Sequence, residues 1–133
     1  MAYASKFTSA LYGPFRAAAD CGLKGNRAGY QLDPLNRRAA LLEARLDEAE
    51  GADILMVKPG LPYLDVLSDV AAASPVPVGA YQVSGEYSML KLAAEKRIAN
   101  EGDLILESLV SIKRAGADII ISYAAKDVLR FLQ

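Results

Sequence analysis

The chain has 133 residues, 53% of them apolar, with 15 basic and 16 acidic side chains and a net charge of −1. A real core is therefore expected, and the charge balance gives no reason to expect nucleic acid or an anionic membrane as partner. The absence of histidine excludes Ser-His and Cys-His nucleophile pairs and histidine metal sites, leaving proton transfer to Lys, Tyr, Asp, Glu or water.

No apolar run reaches the roughly 18 residues of a helical membrane span. Met1-Ala2-Tyr3-Ala4-Ser5-Lys6 lacks the charged-then-apolar layout of a signal peptide. The single cysteine, Cys21, makes no internal disulfide; a reducing compartment is expected and the thiol reads as a loop or helix-end group.

In chain order, residues 1–7 read as the end of a strand. Residues 8–32, with Gly13-Pro14, Gly22, Gly25 and Gly29, read as a working loop, too long and glycine-rich for a plain connector. Asp33-Pro34 reads as an N-cap and first turn, opening a helix over 35–50 with Leu42, Leu46 and Ala49 at helical spacing and Gly51 as its stop. An apolar run over 53–57 follows, a fully buried strand ended by Lys58-Pro59-Gly60.

The same punctuation repeats. Pro62 opens a helix that stops at Ser74-Pro75, and residues 76–81 form a second strand. Helices are predicted over 86–97 and 101–114, a buried strand over 118–123, and a short helix over 128–132. Gly51-Ala52-Asp53-Ile54 recurs as Gly116-Ala117-Asp118-Ile119. This is either the echo of two βα units or a common helix stop used twice, and both readings give a parallel sheet. The expected fold class is α/β, half of an eight-stranded (β/α) barrel, with 1–133 one partial domain: strand end 1–7, active-site loop region 8–32 and remaining βα units 33–133. Half a barrel leaves two open edges, so a longer protein or a pairing partner is expected.

Ligands of parallel α/β folds sit at the carboxyl ends of the strands. Those positions carry Lys6, Lys58, Ser84 and Tyr123. Lys58 follows Ile54-Leu55-Met56-Val57, where desolvation and a nearby Lys6 would favour its neutral amine, the form that attacks a ketone to give an imine. The other reading is a lysine that snorkels to solvent. Ser84 suits a carboxylate or a plain N-cap, and Tyr123 a carboxylate or the core. Arg16 and Arg27 read as carboxylate forks or as surface arginines. No metal-ligand spacing and no phosphate loop is visible.

The segments Met1-Ala2-Tyr3-Ala4-Ser5-Lys6-Phe7, Tyr12-Gly13-Pro14-Phe15-Arg16, Tyr30-Gln31, Met56-Val57-Lys58-Pro59, Tyr81-Gln82-Val83-Ser84-Gly85-Glu86-Tyr87 and Arg114-Ala115-Gly116-Ala117-Asp118 together resemble the porphobilinogen synthase (5-aminolaevulinate dehydratase) family, C-terminal half. The resemblance implies an eight-stranded α/β barrel. It implies condensation of two 5-aminolaevulinate molecules to porphobilinogen in tetrapyrrole biosynthesis, with both substrates held as Schiff bases on Lys6 and Lys58. By motif, Arg16, Arg27 and Gln31 match the residues holding one substrate carboxylate, and Ser84 and Tyr123 those holding the other. Glu43 matches a position that shapes an allosteric magnesium site.

The resemblance further implies a homo-octamer in the cytoplasm, or in the plastid of a photosynthetic eukaryote. It leaves the active-site metal, zinc or magnesium, to segments outside this chain. Gly25-Asn26-Arg27 departs from the family's usual Gly-Asp-Arg. A lysine-dependent aldolase is the alternative enzyme, set against by a second lysine and two carboxylate-binding sets; an inactive half-barrel is the non-enzyme alternative.

Overall fold

The computed structural model describes residues 1–19 and 29–131. Four strands, β1 (Ala2–Lys6), β2 (Leu55–Lys58), β3 (Val78–Gln82) and β4 (Ile119–Ser122), form one sheet in that order, parallel throughout. Helices follow the strands: α1 (Gly13–Ala18), α2 (Arg37–Ala49), α3 (Leu64–Ala73), α4 (Ser84–Glu95), α5 (Glu101–Arg114) and α6 (Ala125–Phe131). Among the described residues no helix is long and apolar enough to cross a membrane.

The sheet sits where the apolar runs require it. Leu55, Met56 and Val57 of β2 are all buried, as a strand with a neighbour on each side and helices over it must be. Val66, Leu67 and Val70 of α3 pack with Leu55 and Val57, as do Ala40 and Ala44 of α2 and Ile112 of α5. Each fully buried aliphatic side chain contributes about 1.5–3 kcal/mol, so this stripe carries most of the sheet's hold on its helices.

Several boundaries differ from the sequence reading for identifiable reasons. Asp33 caps only a turn, its carboxylate accepting from Leu35 N (2.9 Å). The helix starts at Arg37 with Asn36 as its cap, accepting from Ala39 N (3.0 Å). Leu42 and Leu46 face outward, 57% and 47% exposed. The buried face of α2 is Ala40 and Ala44 instead, because small residues let the helix approach β1 closely enough for buried Ser5 Oγ to donate to Ala40 O (3.2 Å). The region after β1 is not all loop: a 3-10 turn over Ala10–Tyr12 leads into α1, with Pro14 in its first turn. Pro62 sits in a 3-10 turn, Leu61–Tyr63, ahead of α3.

Residues of β4 are only half-buried, although the run Ile119-Ile120-Ile121 reads as fully buried. The strand has β3 on one side and, among the described residues, no further strand on the other. Gly51 and Gly116 both stop helices in the left-handed region (φ 94° and 110°), where glycine alone is unstrained. Asp118 then turns back to accept from Val78 N (2.9 Å). The echoed motif is thus a helix stop placed ahead of two parallel strands.

Candidate active site

Lys6 and Lys58 are the last residues of β1 and β2 and stand directly opposite in the parallel register. Neighbouring strands run about 4.8 Å apart, so the two side chains leave the sheet together. A register shift between Ala2 and Ser5 also turns Tyr3 toward them. Its ring centroid is 5.7 Å from Lys6 Nζ and 5.5 Å from Lys58 Nζ. The strict two-residue alternation of a strand would put Tyr3 and Lys6 on opposite faces.

Lys58 has the more enclosed amine. Its Nζ lies 3.8 Å from the Tyr81 ring centroid and 5.6 Å from that of Tyr12. Burial holds its pKa below the ordinary lysine range, and the Lys6 charge lowers it further, while Glu86 pulls the other way. Lys6 faces the Tyr30 ring at 5.7 Å. Two neighbouring cations, one desolvated, give an amine that is neutral more of the time than a surface lysine.

Tyr12 roofs the pair. Its hydroxyl donates to Phe7 O (3.0 Å), with Lys58 O a second acceptor at 3.3 Å. Burial, then the neighbouring Tyr63 and Glu86, push its pKa well above the usual phenol value, so it stays a donor. Tyr81 is raised to about 12, first by burial and then by the adjacent Tyr123.

Two recesses flank this roof. One, about 50 Å³, is lined by Lys6, Lys58, Tyr12, Phe15, Arg16 and Gln31. The other, about 160 Å³, takes in Lys58, Tyr3, Tyr81, Ser84 and Tyr123. Arg16 lays its guanidinium over Tyr12, 5.5 Å from the ring centroid. Gln31 is buried, and its Oε1 has no hydrogen-bond partner among the described residues, an acceptor suited to a donor from a ligand. Ser84 Oγ accepts from Phe15 N (3.1 Å) and donates to Leu11 O (3.4 Å). The second bond is long, so its hydroxyl can redirect to a carboxylate at small cost. Tyr123, 44% exposed, packs its ring near Tyr81 (6.3 Å) and Tyr87 (6.0 Å).

The fold therefore brings together Lys6, Lys58, Arg16, Gln31, Ser84 and Tyr123. Arg27 lies outside the described residues, as does Cys21. Glu43 stands exposed on the outer side of α2, away from both recesses. Among the described residues no group of three or more His, Cys, Asp or Glu could hold a metal ion. A lone exposed carboxylate does not make a magnesium site, since that cation needs several oxygen ligands in near-octahedral order. Larger recesses lie elsewhere, about 740 Å³ beside Lys91 and Glu101, and about 380 Å³ along α5, β4 and α6. Both are open surface and hold none of Lys6, Lys58, Ser84 and Tyr123.

Four residues were not singled out by sequence: Tyr3, Tyr12, Tyr81 and Glu86. Glu86 had a signal, its place three residues after Val83, the spacing of a capping box. It is 1% exposed, and its carboxylate accepts from Val83 N (2.6 Å), Gly60 N (3.2 Å) and Leu61 N (2.6 Å). Burial raises its pKa above the usual range, opposed by those three N–H groups and by Lys58. Gln82 and Ser122 close the far side: Ser122 Oγ donates to Gln82 Oε1 (2.6 Å), and Gln82 Nε2 donates to Ser108 Oγ (2.8 Å). This fixes the turn that carries Tyr123.

The family model described as delta-aminolevulinic acid dehydratase matches residues 1–131. The delta-aminolevulinic acid dehydratase of Escherichia coli K12 is 56% identical over 128 residues, covering 96% of this chain and 40% of the relative. The chloroplastic enzyme of that name from Physcomitrium patens is 53% identical, covering 99% and 31%. A crystal structure of the Toxoplasma gondii ME49 protein, in complex with its reaction product porphobilinogen, superposes with a TM-score of 0.93 at 51% identity, covering 98% of this chain and 38% of that one. The chain thus spans about two-fifths of that structure and of the bacterial relative. With four parallel strands alternating with helices, its fold is half of an eight-stranded β/α barrel.

Proposed function

The chain belongs to the delta-aminolevulinic acid dehydratase family, and from that membership we propose that it carries the imine-forming site of a porphobilinogen synthase. The reaction is condensation of two 5-aminolaevulinate molecules to porphobilinogen, in tetrapyrrole (haem) biosynthesis. The observation that carries the reading is the pair Lys6 and Lys58, side by side at the strand ends, which share one recess with Arg16 and Gln31 while Lys58 also opens on a second with Ser84 and Tyr123.

Each lysine attacks one substrate ketone. A C–N bond forms, the carbonyl oxygen leaves as water, and the product is an imine. Lys58 does so readily because burial and Lys6 favour its neutral amine. Ser84 and Tyr123 hold the carboxylate of the substrate on Lys58; Arg16, Arg27 and Gln31 hold that of the substrate on Lys6. One imine loses an adjacent proton to become an enamine. Its carbon attacks the imine carbon of the other substrate, and one lysine amine is eliminated. The amine of a substrate displaces the second lysine from the remaining imine, and loss of a ring proton leaves the pyrrole, both waters having left when the imines formed. The rings of Tyr12 and Tyr81 shield the amine of Lys58 and so slow hydrolysis of the imine.

The family is in general metal-dependent. Glu43 would give one carboxylate to an allosteric magnesium site whose other ligands come from elsewhere, and no step above is routed through a metal. Active-site zinc or magnesium ligands would likewise come from outside this chain. We place the protein in the cytoplasm, or in a plastid as for the plant relatives named chloroplastic, and as a homo-octamer. The test is incubation of the full-length protein with 5-aminolaevulinate, borohydride reduction and adduct mapping by mass spectrometry. Adducts at Lys58 and Lys6 are expected; labelling of neither in folded protein overturns the reading.

A further inference from the structure

We propose that Glu86 is a positioning residue that sets the distance between the Lys58 amine and the carboxylate anchor at Ser84, and so selects keto acids of one chain length at Lys58. This rests on the reading of Lys58 and Ser84 given above. Two of the three N–H groups on the Glu86 carboxylate belong to Gly60 and Leu61, in the turn immediately after Lys58. The third belongs to Val83, immediately before Ser84. One buried side chain therefore ties together the two turns that carry the two ends of the substrate.

The segment of Tyr12 and Phe15 also touches both places, at Lys58 O and Ser84 Oγ, but among the described residues only the Glu86 side chain bonds the backbone of both turns. The ends of β2 and β3 are paired only as far as Val57 and Ala80, so beyond those residues the ladder no longer fixes one turn against the other. The clamp also has no slack. Gly60 is packed so tightly that a Cβ there would meet Ile112 Cδ1 at 3.1 Å and Tyr81 O at 3.4 Å. Glu86 suits the task because both carboxylate oxygens only accept. Three backbone donors converge on them, Gly60 and Val83 on Oε2 and Leu61 on Oε1. A glutamine offers one acceptor oxygen and an NH₂ that opposes at least one of these N–H groups. An aspartate keeps the charge but falls one methylene short.

The charge of Glu86 also acts on Lys58, so a change in raw labelling rate would not isolate a positioning role. A ratio does. Adduct formation at Lys58 is measured, with borohydride trapping, for 4-oxopentanoate and for acetone, which has the ketone and lacks the carboxylate. Any change in amine basicity affects both probes alike and cancels in the ratio; a change in the distance to Ser84 affects only the keto acid. In Glu86→Gln and Glu86→Asp the keto-acid preference at Lys58 should fall at least about tenfold, since a misplacement of about 1 Å is able to remove a hundredfold. The same ratio at Lys6, whose described anchors Arg16 and Gln31 make no hydrogen bond to Glu86, should stay unchanged.

An undiminished ratio at Lys58 in either folded variant overturns the proposal. Where neither variant folds, the wild-type protein decides: a fixed spacing predicts an optimum at 4-oxopentanoate over 3-oxobutanoate and 5-oxohexanoate, and a flat series overturns it. Wild-type protein that labels at neither lysine instead sinks the Schiff-base reading itself, so the two failures are distinguishable.

Discussion

Gly85, the second residue of α4, is where the segment over the lysines meets that helix. A Cβ built on it would lie 2.5 Å from Leu11 O and 2.6 Å from Leu11 Cα. Carbon contacts favour about 3.5–4.0 Å, so one side must retreat by about 1 Å. Both sides are backbone, and no rotamer change relieves the clash. In an unobstructed helix, Gly→Ala stabilises by about 0.5–1 kcal/mol. Here overpacking costs about 1–3 kcal/mol. If the Leu11 turn lifts instead, the bond from Phe15 N to Ser84 Oγ and those of the Tyr12 hydroxyl are strained or lost, each about 0.5–1.5 kcal/mol.

Gly85→Ala should therefore destabilise by about 2–3 kcal/mol net of the helix gain. It should also slow borohydride trapping at Lys58 as the Tyr12 roof moves away. The assay is denaturant unfolding of the full-length protein, paired with adduct mapping. A variant as stable as wild type or more so, with trapping at Lys58 unchanged, would refute the contact between Leu11 and α4 and the roofing role built on it.

Further expectations follow from neighbouring groups. Tyr12→Phe removes the donor to Phe7 O and Lys58 O and should cost about 1–2 kcal/mol in unfolding measurements; a neutral change would mean that those carbonyls find other donors. Lys6→Met removes the charge that, after burial, lowers the Lys58 pKa. The Lys58 pKa then rises, its neutral fraction at a given pH falls, and the pH profile of trapping at Lys58 should move to higher pH; an unmoved profile would show that the two amines do not interact. Glu43→Ala should weaken stimulation by magnesium without abolishing imine formation, measured as activity against magnesium concentration; unaltered dependence would remove Glu43 from that site.

Much of the architecture was legible because it is written locally. The uninterrupted apolar run before Lys58 can only be a strand covered on both faces, and the two Gly-Ala-Asp stops mark helix ends through a backbone angle that only glycine adopts without strain. Helix α5 spans 101–114 as expected, and the structure shows why it starts there: Asn100 caps it, accepting from Gly102 N and Asp103 N. The position of Lys6, Lys58, Ser84 and Tyr123 at strand ends followed from the same punctuation.

What a helix or strand faces is not local, and there the tertiary structure decided. Leu42 and Leu46 carry the apolar spacing of α2, yet the sheet took Ala40 and Ala44, because β1 offers room for a close approach rather than a large side chain. Ile119 to Ser122 look fully buried in sequence and are half-exposed, because burial depends on a strand's neighbours as well as on its own residues. Tyr3 reaches the lysines only through a register shift in β1. Lys58 itself is reactive in sequence on the strength of the residues before it. Its pairing with Lys6, its aromatic enclosure and its tie through Glu86 to the turn of Ser84 come from segments up to 55 residues distant in the chain (58 − 3), which only the folded sheet brings to one edge.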